Sequence, residues 1–426
     1  MKHTVKEIEL SNGAKGLLID VPDASVMAIE INFRAGDFRS PEGKWEVAHI
    51  MEHMAFGANK DYPRARLFQA EIQKNGAYMN ASTNPYNLNY IFEAADFEWK
   101  RVLDMIKLGL DSPVFTEEEF EAERSNVREE LVGDLNHNFR QILIKARKKF
   151  GLIALPDADR LEQLKNINVA DIRQFHEDTH LTANMRFIVS GAVADREEDI
   201  RKMFESLEME EGERVPMPDE TPEGYGDVYY IEKPDLQNIY FFFNTFVGRE
   251  FSQVEDDAIN LVNVMLTATL HSRILGEARE KGLAYHISSS FSKMKGSTGW
   301  WFGAELTPDN AAAVFEIIVN ELERLKDGTL DDEDFEAAKQ FSLGNYQRSA
   351  QTVGGILGGY KGGYFFDGRI EDYYGFPERV KSITKEDMIT TVQSLFEEKN
   401  WGLTIMGTDK EELAQALNEQ LSVLWK

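Results

Sequence analysis

The chain has 426 residues, of which 42% are hydrophobic and 28% are charged, a composition typical of globular proteins rather than disordered or fibrous ones. Its 74 acidic and 47 basic residues give a formal net charge of −27, which would repel phosphate backbones and argues against nucleic-acid binding. No apolar run approaches the roughly 20 residues that cross a bilayer, so no membrane association is expected. Cysteine is absent, which excludes disulfides and cysteine metal sites. This absence, with no apolar leader segment, predicts a cytoplasmic protein.

The first half of the chain predicts strands followed by helices. Alternating apolar and polar residues predict strands in VKEIEL, KGLLID and SVMAIEINFRAG. Helical periodicity is found near residues 44–56, 64–75 and 96–109, and in an acidic segment from about 117 to 137. A strand in NMRFIVSGAV and a helix in REEDIRKMFESL complete this half.

The second half repeats this plan after a polar, proline-containing segment that predicts a linker. Its final strand, in LTIMGTD, and the helix that follows resemble FIVSGAV and its helix in the first half, which indicates one module used twice. We therefore predict a domain at residues 1–212, a linker at 213–227 and a homologous domain at 228–426. The glycine-rich segment 354–363 lacks phosphate-loop spacing and predicts close helix packing or a loop.

Two five-residue segments carry the spacing of a zinc-binding helix. Residues 49–53 read H-x-x-E-H and residues 176–180 read H-E-x-x-H. Each places two histidines one helical turn apart on the same face, the separation at which two imidazoles can share a zinc ion. Each also puts a glutamate near that face, where it can take a proton from a water molecule. A pattern of five residues is only moderately specific, so at least one of the two can be accidental.

A third ligand is available to the first motif. Zinc needs three protein ligands and an open fourth position in a catalytic site. Glu123 and Glu130 lie seven residues apart in the long acidic helix, two turns along one face. Glu130 can therefore complete a ligand set with His49 and His53, while Glu123 orients one of the ligands.

The second motif has no comparable support. His176 and His180 stand where a helix ends, directly before the strand in MRFIVSGAV. The candidate third ligands after them, Glu197 and Glu198, belong to an amphipathic surface helix. We therefore interpret His176 and His180 as surface or helix-end residues.

On these motifs the chain resembles the family of pitrilysin, insulin-degrading enzyme and mitochondrial processing peptidase, the inverted-motif zinc peptidases. HIMEHMAF resembles the family's zinc helix, which implies that His49 and His53 bind one zinc ion per chain and that Glu52 is the general base. EAERSNVREEL resembles the segment that supplies the third ligand, here Glu130, with Glu123 as the supporting acid. The resemblance extends from about residue 5 to residue 410.

Two further segments resemble substrate-binding elements of the family. NGAYMNASTNPYNLNYIF resembles its substrate-binding edge strand, which implies that Asn80, Ala81 and Thr83 contact an extended peptide substrate. SRILGEAREKGLAYHISSS resembles an element of the C-terminal domain that supplies an arginine and a tyrosine, here Arg279 and Tyr285. In this role Tyr285 would donate a hydrogen bond to the oxyanion, and Arg279 would hold Tyr285 or the substrate backbone.

The chain departs from the family pattern at three places. The family usually has glycine at the position of Glu46, Gly-Thr at Ala58 and Asn59, and tyrosine at the position of His180. The last change creates the second histidine motif. None of these positions is a proposed zinc ligand, so the departures concern substrate preference more than chemistry.

The resemblance implies an α+β fold with two homologous domains, each an antiparallel sheet packed by helices, which together form half of a clamshell. Because two domains carry both the zinc set and the arginine–tyrosine pair, we expect a homodimer in which the zinc domain of one subunit faces the second domain of the other. The predicted function is that of a zinc metalloendopeptidase, which hydrolyses peptides or small unfolded polypeptides inside a closed chamber. The alternative is a non-catalytic structural or chaperone-like member of the family. Such members usually lose residues of the zinc set, all of which are present here.

Overall fold

The computed structural model of the protein describes residues 1–426 and divides them into two compact units, each built around one β-sheet. Unit 1 contains residues 1–133, 157–218 and 347–373. Unit 2 contains residues 134–156, 219–346 and 374–426. The α+β fold class with two sheet-and-helix domains is confirmed.

The sheet of unit 1 has six strands in the order β1-β2-β6-β3-β5-β4. They are β1 (Thr4–Glu9), β2 (Lys15–Asp20), β3 (Val26–Phe33), β4 (Tyr78–Thr83), β5 (Leu88–Ala95) and β6 (Met185–Gly191). All neighbouring strands are antiparallel except β2 and β6, which are parallel. Strand β4 pairs only with β5, so its other edge is open for backbone hydrogen bonds.

The sheet of unit 2 has five strands in the order β7-β11-β8-β10-β9. They are β7 (Val228–Glu232), β8 (Ile239–Val247), β9 (Ile287–Met294), β10 (Ser297–Leu306) and β11 (Trp401–Gly407). Its one parallel pair is β7 and β11, so the order and directions match those of β2, β6, β3, β5 and β4 in unit 1. The predicted repeat is therefore present in the topology, with FIVSGAV in β6 and LTIMGTD in β11 as equivalent strands. Each sheet is mixed rather than purely antiparallel.

Sixteen α-helices connect and cover the strands. In the first half of the chain they are α1 (Val47–Ala55), α2 (Ala65–Gln73), α3 (Trp99–Asp111), α4 (Glu117–Asp134), α5 (Asn138–Lys149), α6 (Asp157–Gln163), α7 (Val169–Thr179) and α8 (Glu197–Glu205). In the second half they are α9 (Gln253–Asn263), α10 (Arg273–Glu280), α11 (Pro308–Lys326), α12 (Asp332–Ser349), α13 (Val353–Phe366), α14 (Phe376–Ser382), α15 (Lys385–Glu397) and α16 (Glu411–Leu421). None of these helices is long and apolar enough to cross a membrane.

Both faces of the central strands are buried, which the sequence pattern of β3 and β8 already suggests. Seven of the eight residues of β3 and eight of the nine of β8 are buried, since both are apolar almost throughout. One face of β3 packs with α1 and other helices of unit 1 in a single large apolar cluster. A second helix layer is therefore required on the opposite face of each sheet.

That second layer comes from a helix of the other half of the sequence. In unit 2, α5 packs on β8 and β11, where Ile142, Ala146 and Phe150 join Phe242 and Phe246 in an apolar cluster. In unit 1, α13 packs on the equivalent strands β3 and β6. The two helices thus occupy equivalent positions in the two units. The predicted linear division into residues 1–212 and 228–426 does not describe this reciprocal exchange.

The glycine-rich segment forms α13 and is not a loop. Its buried residues, among them Ile356, Tyr360 and Tyr364, alternate with glycines that allow close packing. A Cβ atom added at Gly359 would lie 2.5 Å from the ring of Tyr373, so a larger residue would displace that ring. The predicted linker, residues 213–227, contains no helix or strand, although Val215 and Met217 within it are buried.

Candidate metal centre

Helix α1 presents the H-x-x-E-H motif on one face because its other face is apolar. Val47, Ala48, Ile50, Met51 and Met54 are buried in the cluster beneath the helix. The remaining positions 49, 52 and 53 follow the i, i+3, i+4 spacing and therefore share the opposite face. The amphipathic pattern of the helix thus places both histidines and the glutamate on a common surface.

Helix α4 brings the predicted third ligand to this surface. Phe120, Val127 and Leu131 bury one side of α4. Glu123 and Glu130 each follow a buried residue, Phe120 or Val127, by three positions and so lie along one stripe of the helix. The two-turn separation predicted from the sequence is therefore realised in the structure.

The side chains of His49, His53 and Glu130 converge. The two Nε2 atoms of His49 and His53 are 3.2 Å apart, and Glu130 carboxylate oxygens lie 3.4 Å from Nε2 of His49 and 3.9 Å from Nε2 of His53. A tetrahedral zinc ion with bonds of about 2.0–2.2 Å separates its ligand atoms by roughly 3.3–3.5 Å. Two imidazole nitrogens and one carboxylate at this spacing fit zinc in number, chemistry and distance.

Each histidine also has a carboxylate on its other ring nitrogen. Nδ1 of His53 lies 3.0 Å from Oε2 of Glu123, which also accepts a hydrogen bond from the amide of Asn126. Nδ1 of His49 lies 2.9 Å from Oε2 of Glu46. A carboxylate on Nδ1 leaves Nε2 free to bind a metal, the arrangement found in carboxylate–histidine–zinc centres.

Without metal, these contacts change the pKa values of the groups. Burial by itself lowers the pKa of His49, but the hydrogen bonds with Glu130 and Glu46 outweigh it and raise that pKa to about 10. Burial raises the pKa of Glu46, yet the hydrogen bond from His49 and the charge of Arg160 lower it to about 2. The hydrogen bond with His49 is also the main reason why the pKa of Glu130 is lowered. At neutral pH the carboxylates are therefore ionised and the metal-free His49 ring is protonated, so a metal ion that binds its Nε2 must displace a proton.

Glu46 and Arg160 were not predicted as parts of the site. Glu46 is fully buried immediately before α1 and forms a bidentate ion pair with Arg160 of α6, with distances of 2.5 and 2.9 Å. The sequence offered one signal for Glu46, its i, i+3 spacing to His49. Arg160 lies more than a hundred residues away along the chain and offered none.

The third residue of the motif face, Glu52, contacts the edge strand. Oε2 of Glu52 accepts a hydrogen bond of 2.9 Å from the hydroxyl of Thr83, the last residue of β4. Ala81 shares the half-buried face of β4 with Thr83, whereas Asn80 is exposed on the opposite face. Of the three predicted substrate residues, Thr83 is therefore the one in direct contact with the motif.

The predicted arginine and tyrosine belong to unit 2, whereas the zinc set belongs to unit 1. Nη1 of Arg279 donates a hydrogen bond of 2.7 Å to the backbone carbonyl of Tyr285, and its guanidinium lies 4.5 Å from the centre of the Tyr285 ring. Tyr285 is nevertheless 83% exposed. Arg279 therefore orients a tyrosine whose hydroxyl has no protein partner and can meet a ligand.

The second histidine motif forms no metal group. His180 is the C-cap of α7, which agrees with its interpretation as a helix-end residue, but with 3% exposure it is not a surface residue. Its ring stacks on Phe33, and its Nε2 lies 2.9 Å from the hydroxyl of Tyr90. Burial lowers the pKa of His176 to about 4 and that of His180 well below the ordinary value. Both are therefore neutral packing residues, and Glu177 is exposed.

Two family models match most of the chain. Residues 17–154 match the model described as "Insulinase (Peptidase family M16)", and residues 166–341 match that described as "Peptidase M16 inactive domain". The first match contains the whole candidate metal centre except Arg160.

Among characterised proteins, the chain is similar to insulin-degrading enzyme of Drosophila melanogaster, with 24% identity over 331 residues, or 73% of this chain and 33% of that protein. It is also similar to Protease 3 of Escherichia coli, with 29% identity over 124 residues, or 29% of this chain and 13% of that protein. The chain thus matches a third or less of the length of these relatives.

Solved structures of similar length share the fold. A protease from Helicobacter pylori aligns with a TM-score of 0.82 at 18% identity, covering 95% of this chain and 100% of that one. A peptidase M16 inactive domain from Pseudomonas fluorescens aligns with a TM-score of 0.83 at 14% identity, covering 95% and 98% of the two chains. At such low identities the similarity establishes the two-domain fold.

Proposed function

The chain belongs to peptidase family M16, and on this premise we propose that it is a zinc metalloendopeptidase that hydrolyses peptides or small unfolded polypeptides. The observation that carries the proposal is the convergence of His49, His53 and Glu130 beside Glu52. Non-catalytic members of the family usually lose residues of the zinc set, and all of these residues are present here.

His49, His53 and Glu130 would hold the ion, which when bound polarises the scissile carbonyl and makes a water molecule more acidic. Glu52 takes the proton of the attacking water and delivers it to the leaving amine. The hydroxyl of Thr83 holds one oxygen of Glu52, so the other oxygen is available for this transfer. The open edge of β4 adds an extended peptide by backbone hydrogen bonds, which gives affinity with loose sequence requirements.

Arg279 and Tyr285 would complete the site in an assembled enzyme. Tyr285 would donate a hydrogen bond to the oxyanion, and Arg279, already bonded to the Tyr285 carbonyl, would fix its position. We propose that the assembly is a homodimer with a closed chamber, in which each subunit supplies Arg279 and Tyr285 to the zinc set of its partner. The proposed location is the cytoplasm.

Glu52→Gln tests the proposal directly. Purified wild-type protein should contain one zinc ion per chain and cleave unstructured peptides. Glu52→Gln should keep the zinc, because Glu52 is not a ligand. Its rate of peptide cleavage should fall by at least the 10²–10⁴-fold that general-base catalysis contributes. Zinc binding without peptide cleavage by the wild type would instead identify a non-catalytic, chaperone-like member of the family. Near wild-type turnover of Glu52→Gln would remove Glu52 from the mechanism.

A further inference from the structure

Glu46 occupies a position where the related peptidases usually have glycine, and it makes a specific contact with a predicted zinc ligand. Its carboxylate is 0% exposed, so it cannot be stabilised by water. It also makes no capping hydrogen bond to α1, although it is the N-cap residue. Both of its oxygens are instead used by side chains, those of His49 and Arg160.

The ion pair with Arg160 offsets the free-energy cost of burying the Glu46 carboxylate. Nε of Arg160 lies 2.5 Å from Oε1 of Glu46, and Nη2 lies 2.9 Å from Oε2. Nη1 of Arg160 lies 3.0 Å from the buried carboxylate of Asp157, one turn earlier in α6. The guanidinium is thus anchored on both sides, and the planar pair leaves the Glu46 carboxylate little freedom to rotate.

This fixed carboxylate determines the state of the His49 ring. An ionised carboxylate can only accept, so Nδ1 of His49 must carry the hydrogen in the 2.9 Å contact with Glu46. In the neutral ring Nε2 then holds the lone pair, and Nε2 is the atom that lies near His53 and Glu130. Nδ1 of His53 makes the equivalent contact with Glu123 of α4, but the Glu123 side chain is only partly buried.

We propose that Glu46, clamped by Arg160, is a positioning residue that fixes the tautomer and orientation of His49 for metal binding. The proposal rests on the proposed zinc site. Glycine at position 46 could not contact His49. The Glu46–Arg160 pair is therefore not among the residues by which this chain resembles its family. In Glu46→Gln, the amide presents only one acceptor oxygen and cannot satisfy both His49 and the two Arg160 donors.

The experiment measures zinc affinity by competition with a chelator, together with the visible spectrum of the cobalt-substituted protein. Glu46→Gln should lower zinc affinity 10–100-fold, as loss of a carboxylate behind a histidine ligand does elsewhere, and should shift the cobalt spectrum. Arg160→Lys keeps the charge but loses the bidentate geometry, and should give a smaller change in the same direction. Glu162→Gln removes an exposed charge from the same helix and should leave both readouts unchanged.

The result is separable from that of the proposed function. If the wild-type protein binds no zinc, the proposed function itself fails. If it binds zinc and folded Glu46→Gln has the wild-type affinity and cobalt spectrum, the positioning role of Glu46 is wrong. Lower thermal stability of the metal-free variants with unchanged affinity would equally overturn it, because that is the behaviour of a purely structural ion pair. Should Glu46→Gln fail to fold, Arg160→Lys decides by the same two readouts.

Discussion

The hydroxyl of Thr83 donates a hydrogen bond of 2.9 Å to Oε2 of Glu52. This bond joins the last residue of the open edge strand to the proposed general base. A peptide that pairs with β4 would therefore lie next to the group that activates the water. The strand and the helix are thereby held in a fixed relation before any substrate is bound.

Thr83→Val tests this connection because it preserves the shape of the side chain and removes the donor. Hydrogen bonds to charged groups contribute about 1.5–3 kcal/mol, so we expect kcat/KM for a peptide to fall at least about 10-fold. Thr83→Ser retains the hydroxyl and should stay within about 3-fold of wild type. Equal activity of the valine and serine variants would show that the bond does not orient Glu52 in the reaction.

The two histidine motifs make opposite predictions for metal content. His53→Ala should lose stoichiometric zinc, since two protein ligands seldom hold the ion. His180→Ala should keep its zinc but unfold at lower temperature, because the buried ring packs on Phe33 and contacts Tyr90. Metal analysis and thermal unfolding of the two variants distinguish these roles. Loss of zinc from His180→Ala alone would mean that the wrong helix has been assigned.

The burial of His176 is expected to make the free energy of unfolding decrease at acidic pH. Burial lowers its pKa from the ordinary value of 6.5 to about 4. Between these values the unfolded chain binds a proton that the folded chain does not, so the folded state loses stability as the pH falls from 6.5 to 4. His176→Gln should remove roughly 1–3 kcal/mol of this loss. Denaturant unfolding of wild type and His176→Gln at pH 7 and pH 5 measures this difference. An equal change in the free energy of unfolding of the two proteins would contradict the lowered pKa of His176.

A mixing experiment tests whether sites are shared between chains. Glu52→Gln and Tyr285→Phe should each be inactive alone. If the zinc set of one subunit uses Tyr285 of the other, a mixed dimer regains one of its two sites, and random pairing makes about half of all dimers mixed. Recovery near a quarter of wild-type activity would support the homodimer. If the subunits exchange and no activity returns, the site lies within one chain or Tyr285 has no part in it.

The sequence was enough to group the residues of the candidate centre because helical spacing relates them. His49 and His53 are one turn apart, and Glu123 and Glu130 are two turns apart, so each pair could be placed on one face without knowledge of the fold. The contact of Glu46 with His49 has the same local character, but a glutamate before a helix is also an ordinary exposed residue. Only its burial against the distant Arg160 reveals the role.

The exchange of α5 and α13 lay beyond sequence reasoning for a different reason. An amphipathic helix shows which of its faces is buried, but its pattern does not identify the sheet that covers this face. The two sheets have equivalent strands in equivalent order, so α5 and α13 each had two similar surfaces available. The structure assigns each helix to the sheet in the opposite half of the sequence.

Because α5 and α13 are exchanged, neither half of the sequence contains a complete domain, although the two sheets share one topology. A fragment that ends in the segment 213–227 would lack α13 and would leave one face of the β3 and β6 region uncovered, while its own α5 would have no sheet to cover. Proteolytic nicking in that segment would cut the chain without releasing a self-sufficient piece, since each unit draws on both fragments. Neither half of the sequence would fold as a separate single-domain protein unless a new helix covered the sheet face that α5 or α13 now covers.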